Sequence, residues 1–98
     1  MCYPLFHAVK DGVPTDKDLQ RLSRKIVECW KDLARCLGLE ESDITVIHDQ
    51  NQKLKERALK MLLQWRAKCG LGATYRVLYD ALCDELVGQR ELAQKYCC

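Results

Sequence analysis

The sequence predicts an all-α fold, a compact antiparallel bundle of six short helices. Helical periodicity dominates the chain and strand alternation is almost absent. Only two prolines occur, Pro4 and Pro14, and both precede the periodic region. Glycines at 38, 70, 72 and 88 then cut that region into lengths suited to short helices joined by brief turns.

Taken in order, residues 1–14 read as a lead-in segment, packed in part through Tyr3, Leu5 and Phe6, and residues 15–98 as the domain. Thr15 is placed to cap the first helix, with Asp18 three residues on. That helix carries Leu19, Leu22 and Ile26 on one stripe. In the second, Trp30, Leu33, Ala34 and Leu37 recur at i, i+3, i+4 and i+7, so Lys31, Asp32 and Arg35 point outward. Gly38 suits the left-handed position after a helix end. Ser42 is expected to cap a short third helix with Ile44 and Ile47 inward. Asn51 is expected to cap the long fourth, with Leu54, Ala58, Leu62 and Trp65 as its inner face, helped by Met61 and Cys69. Thr74 begins a fifth helix whose buried side is Leu78, Ala81, Leu82 and Leu86, with Val77 and Tyr79 flanking. Gly88 ends it, and a sixth forms around Leu92 and Ala93. Apart from the fourth, none is long enough to be stable alone, so packing must hold them.

Composition narrows the function. The 98 residues, 48% of them hydrophobic, are enough for one core. Sixteen basic and 14 acidic residues leave a net charge of +2, too little for the basic stripe of a nucleic-acid binder. No apolar run is long enough to span a bilayer, and the first residues lack the positive start of a secretory signal. A soluble, cytoplasmic protein is expected. Seven cysteines, an odd number, argue against a complete disulfide framework and for reduced thiols, some buried as small hydrophobes.

Catalytic and metal readings find little support. Ser23 and Ser42 are better explained as helix-surface and cap residues than as nucleophiles beside a base. A Cys–His couple through His48 has no cysteine marked as activated. A zinc site would need Cys2 and His7 to meet Cys97 and Cys98, which requires the two ends of the chain to come together. No enzyme activity, cofactor, metal or small-molecule substrate is expected. The basic fourth helix could mimic a helix-turn-helix reader, but the acids from Glu40 to Asp49 oppose phosphate binding.

Charge is segregated along the chain. Residues 40–49 hold Glu40, Glu41, Asp43 and Asp49 and no Lys or Arg. Residues 53–68 hold Lys53, Lys55, Arg57, Lys60, Arg66 and Lys68 against a single acid, Glu56. Such runs are most often solvated faces, and Glu56 with Lys60 is a favourable i, i+4 pair that needs no partner. Opposed charges on one molecule also favour head-to-tail contact, which fixes register.

The order and spacing of "WKDLARCLGLEESDITVI", "LLQWRAKCGLGATYRVLYDAL" and "RELA" resemble a death domain of the death-fold superfamily over residues 15–96. Trp30 in a WxxLA pattern, Ile44, Ile47, Trp65 and the GATxxxLxxAL start of the fifth helix carry the resemblance. Val27 and Cys29 depart from the glycine and polar residue common there, which bears on the first turn between helices. The resemblance implies a Greek-key six-helix fold with Trp30, Leu33, Leu37, Ile44, Ile47, Leu62, Trp65, Leu78 and Leu82 as its core. It implies no chemistry, only homotypic binding of other death domains, of itself or of another protein, in apoptotic or innate-immune signalling. On that reading the chain is an adaptor, and Arg35, flanked by Lys31 and Asp32, leads a partner-binding set. The rest of the set is Glu40, Glu41, Asp43 and Asp49 on one side, and Lys53, Arg57 and Lys60 on the other. An alternative gives the Cys97–Cys98 pair a lipid, making the bundle a membrane-tethered regulator. Otherwise membrane association would be only indirect, through a receptor.

Overall fold

Thr15 starts the first helix as its spacing requires: its Oγ1 accepts the Asp18 amide at 3.2 Å. The structure, a computed structural model, describes residues 9–98. Over those residues the chain is all-α. Its helices are α1 (Asp16–Ser23), α2 (Trp30–Cys36), α3 (Glu41–Gln50), α4 (Leu54–Cys69), α5 (Tyr75–Cys83) and α6 (Arg90–Cys97), with a 3-10 turn at Gly70–Gly72. The expected packing of Tyr3, Leu5 and Phe6, and the roles weighed for Cys2 and His7, lie outside the described residues.

The longest helix, α4, is the hub, packing against α1, α2 and α3. The α5–α6 pair closes the other side through α2 and α1. The nine residues given as the core by the resemblance, Trp30, Leu33, Leu37, Ile44, Ile47, Leu62, Trp65, Leu78 and Leu82, are all buried. They join one apolar cluster with Leu19, Leu22, Ile26, Ala58, Met61, Ala81 and Ala93. Burial on this scale, about 1.5–3 kcal/mol for each large aliphatic side chain, is what holds helices too short to stand alone.

Thr15 and Thr74 cap α1 and α5 as expected, but several other helix ends depart from the expected pattern. α1 stops at Ser23, and Ile26 reaches the core from a linking turn in which the Lys25 amide donates to Leu22 O and the Cys29 amide to Ile26 O. This answers the missing glycine at Val27: successive tight turns link the two helices there without one. Ser42 does not cap α3. Glu40 does, in a reciprocal box with Asp43, whose Oδ2 accepts the Glu40 amide at 3.4 Å. Ser42 falls inside the helix, on its exposed side. Asn51 ends α3 instead of starting α4. Its Nδ2 donates to Ile47 O at 2.9 Å, and Lys53 occupies the cap of α4 without a side-chain bond.

Leu54 and Cys69, expected inside, are exposed at the two ends of α4. α5 ends at Cys83, short of Gly88, so Leu86 lies beyond the helix and outside the core. Gly38 has φ +92°, a left-handed conformation that releases the chain from α2. The described residues before α1 belong to the packed structure. Lys10 N donates to Cys97 O at 2.7 Å, the Tyr75 amide donates to Gly12 O at 3.0 Å, and Arg66 bonds Pro14 O at 3.1 Å.

Candidate partner-binding surface

The second helix presents Lys31, Asp32 and Arg35 on its outer side because the Trp30, Leu33, Ala34 and Leu37 stripe faces the core. Arg35 is held on two sides. Its Nε donates to Glu41 Oε1 at 2.7 Å and its Nη1 to Asp32 Oδ1 at 3.0 Å. The Glu41 bond above all raises the pKa of the guanidinium, which is a permanent cation in any case. All these groups are largely exposed, so the triplet contributes little to stability. What it does is fix the orientation of a charged side chain on the surface.

Four of the expected residues converge on one open groove. Lys31, Asp32 and Arg35 of α2 and Arg57 of α4 line it, together with Val27, Glu28, Trp30, His48 and Leu54, around a space of about 470 Å³. Arg57 is anchored there by donating from Nε to Asn51 O at 2.6 Å. Glu41 joins this surface through Arg35.

The remaining expected residues lie elsewhere. Asp43 serves the α3 cap and sits 3.6 Å from Lys68 Nζ. Glu40 is that cap. Asp49 Oδ1 is 3.3 Å from Nδ1 of His48. Lys53 stands exposed at the start of α4, and Lys60 lines a separate depression with Ile47, Gln50 and Leu63. The acidic third and basic fourth helices are therefore not segregated to opposite faces throughout. Asp43 and Lys68 meet within the chain, and Arg66 pairs with Asp16 of α1.

Leu54, His48 and Glu28 were not apparent as groove residues. Leu54 follows the α4 core period, but it stands in the first turn of that helix and is half-exposed. The Cys97–Cys98 pair is not an exposed tail. Cys97 is fully buried, and burial pushes its thiol up to about 12, while Cys98 is half-buried. Among the described residues no helix is long and apolar enough to cross a membrane.

The family model of the Death domain matches residues 16–96. The chain is similar to receptor-interacting serine/threonine-protein kinase 1 of Homo sapiens, 39% identical over 71 residues that make up 69% of this chain and 11% of that protein. Tumor necrosis factor receptor superfamily member 25 of Homo sapiens is 30% identical over 77 residues, 76% of this chain and 16% of that protein. THO complex subunit 1 of Mus musculus is 33% identical over 73 residues, 74% of this chain and 11% of that protein. The chain thus spans about a tenth to a sixth of the length of these relatives.

Proposed function

Because the chain belongs to the death domain family, we propose that it is a non-enzymatic adaptor that binds other death domains and gathers them into signalling complexes. The observation that carries this reading is the family match over residues 16–96, with a charged groove on the α2 surface to receive a partner. Two of the relatives are, by name, a receptor and a receptor-interacting kinase, which favours a signalling role; an apoptotic or innate-immune pathway and a cytoplasmic setting are part of the proposal. Recognition is asymmetric and electrostatic. The α2 surface around Arg35 meets an oppositely charged patch on a partner, and salt weakens the encounter.

The test is binding of wild-type and Arg35→Glu chains to immobilised copies of this chain and of the segments it matches in the two human relatives. Loss of binding by Arg35→Glu, with helicity and Tm kept, supports the reading. Undiminished binding removes Arg35 from the surface, and no binding to any of the three by the wild type removes the function.

A further inference from the structure

The outer side of the first helix is cationic. Lys17, Arg21 and Arg24 recur at i, i+4 and i+7 along α1 and its C-cap, and all three are exposed. Across a shallow cleft of about 200 Å³, lined by Gln20 and half-buried Leu59, Lys55 carries the positive charge onto α4. None of these four cations has an ion-pair partner among the described residues. The acids of α1 are engaged elsewhere: Asp16 pairs with Arg66, and Asp18 accepts the Tyr75 hydroxyl. Glu56 is the one acid lining the cleft, so four cations against one acid leave this face at +3, although the whole chain carries only +2.

Leu71 adds an apolar point to the same region. It is 91% exposed between Gly70 and Gly72, on the turn that follows α4. Arg66, in the last turn of α4, bonds Pro14 O and pairs with Asp16, so Leu71 stands at the end of the face where α1 begins. A lone leucine so far out of the fold suits a fluid apolar phase that closes around it and needs no shaped pocket. Nucleic acid fits less well. None of the residues named on the face is aromatic, so bases find nothing to stack on, and a phosphate backbone would leave Leu71 in water. Lys55 and Arg57 point about 200° apart around α4, which sets this face on the opposite flank from the groove that Arg57 lines.

We propose that the α1–α4 face binds anionic phospholipid surfaces directly, with Lys17, Arg21, Arg24 and Lys55 against the headgroups and Leu71 inserted among the acyl chains. Clusters of about four or more Lys and Arg are drawn to such surfaces by their negative potential. An inserted apolar side chain supplies the second signal that stable attachment requires. This contact does not depend on the homotypic reading. A chain held in this way keeps its Arg35 surface free for a partner, and the bilayer concentrates and orients the copies it holds.

Co-sedimentation of the reduced chain with vesicles tests this, using phosphatidylcholine alone and with about 30% phosphatidylserine at about 0.1 M salt. Wild type should bind the acidic vesicles only, and about 1 M salt should release most of it. Lys17→Gln combined with Arg21→Gln should weaken binding about 25-fold, about fivefold for each cation. Leu71→Ser should weaken it about tenfold. Arg90→Gln, exposed at the start of α6 and away from the face, should change it by less than about twofold. All the substituted side chains are exposed, so thermal melts should match wild type. Absence of binding to acidic vesicles, equal binding to neutral ones, undiminished binding of Leu71→Ser, or a loss in Arg90→Gln as large as in the double variant overturns the proposal. Binding of a random-sequence duplex without binding of vesicles assigns the cations to nucleic acid and overturns it as well. Binding to other death domains is a separate measurement, so failure here leaves the homotypic reading standing.

Discussion

Arg35 Nε lies 2.7 Å from Glu41 Oε1, tying the second helix to the first turn of the third across the turn made at Gly38. With Asp32 on its other side, the guanidinium is aimed before any partner arrives. A partner carboxylate meeting it displaces or extends an existing network and does not have to order a free side chain. Arg35→Glu would set three acids together. Partner binding should fall at least tenfold, while Tm moves by no more than a few degrees, since exposed pairs contribute little. Calorimetric titration beside a thermal melt separates the two effects. A loss of binding matched by a collapse in Tm would mark Arg35 as structural.

Trp65 is buried in the core, yet its Nε1 has no hydrogen-bond partner among the described residues. Truncation to Ala should cost about 3–5 kcal/mol and leave the domain largely unfolded at physiological temperature. Trp65→Phe should cost much less, because the smaller ring removes a buried donor that nothing satisfies. Urea unfolding of both variants checks this. Equal losses would show that the indole nitrogen is bonded after all.

Glycines 38 and 72 should respond in opposite ways to Ala. Gly38, at φ +92°, has open space around its Cβ position, so only backbone strain resists substitution, and about 1 kcal/mol of stability should be lost. Gly72 has equally open space and no left-handed backbone, so Gly72→Ala should stabilise by about 0.4–1 kcal/mol through the unfolded chain. Paired denaturant midpoints decide it, and a shift of the same sign in both would contradict the backbone assignment.

Alkaline pH should destabilise the domain. Burial above all raises the Cys97 thiol from 9.0 to about 12, and burial with the Asp18 hydrogen bond raises the Tyr75 hydroxyl above 10.0. Both groups are held neutral in the fold and ionise earlier in the unfolded chain. Their contribution is complete below pH 9.0 and is lost as pH climbs toward about 12. Cys97→Ala should flatten the fall of stability between pH 9 and 11, by up to about 1.4 kcal/mol per pH unit. An unchanged slope would place the titration elsewhere.

The core was legible because it depends on periodicity alone. Trp30, Leu33 and Leu37, like Leu62 and Trp65, fall inside wherever their helices begin or end. Leu54 and Leu86 were misplaced for the opposite reason. Period says which side a residue faces but not whether anything covers it: Leu54 stands half-exposed in the first turn of α4, and Leu86 lies in the turn beyond the end of α5. Asn51 shows the same ambiguity at a cap. Its side chain suits either the end of α3 or the start of α4, and only the Ile47 carbonyl within 2.9 Å decides between them. The charge pattern located Lys31, Asp32, Arg35 and Arg57, but it could not show that they share a groove while Lys60 lies in another. Nor could it show that Asp43 and Lys68 pair within the chain, because that contact joins the start of α3 to the end of α4.

Light scattering behind size exclusion, on reduced protein over a concentration series, tests charge-directed homotypic assembly most directly. It should be run at about 0.01 M salt, where screening extends about 30 Å, and at about 1 M, where it extends about 3 Å. Mass that rises with concentration at low salt and returns to the 11.4 kDa monomer at high salt is the expected result. A monomer at every concentration in both conditions would contradict self-assembly through these surfaces.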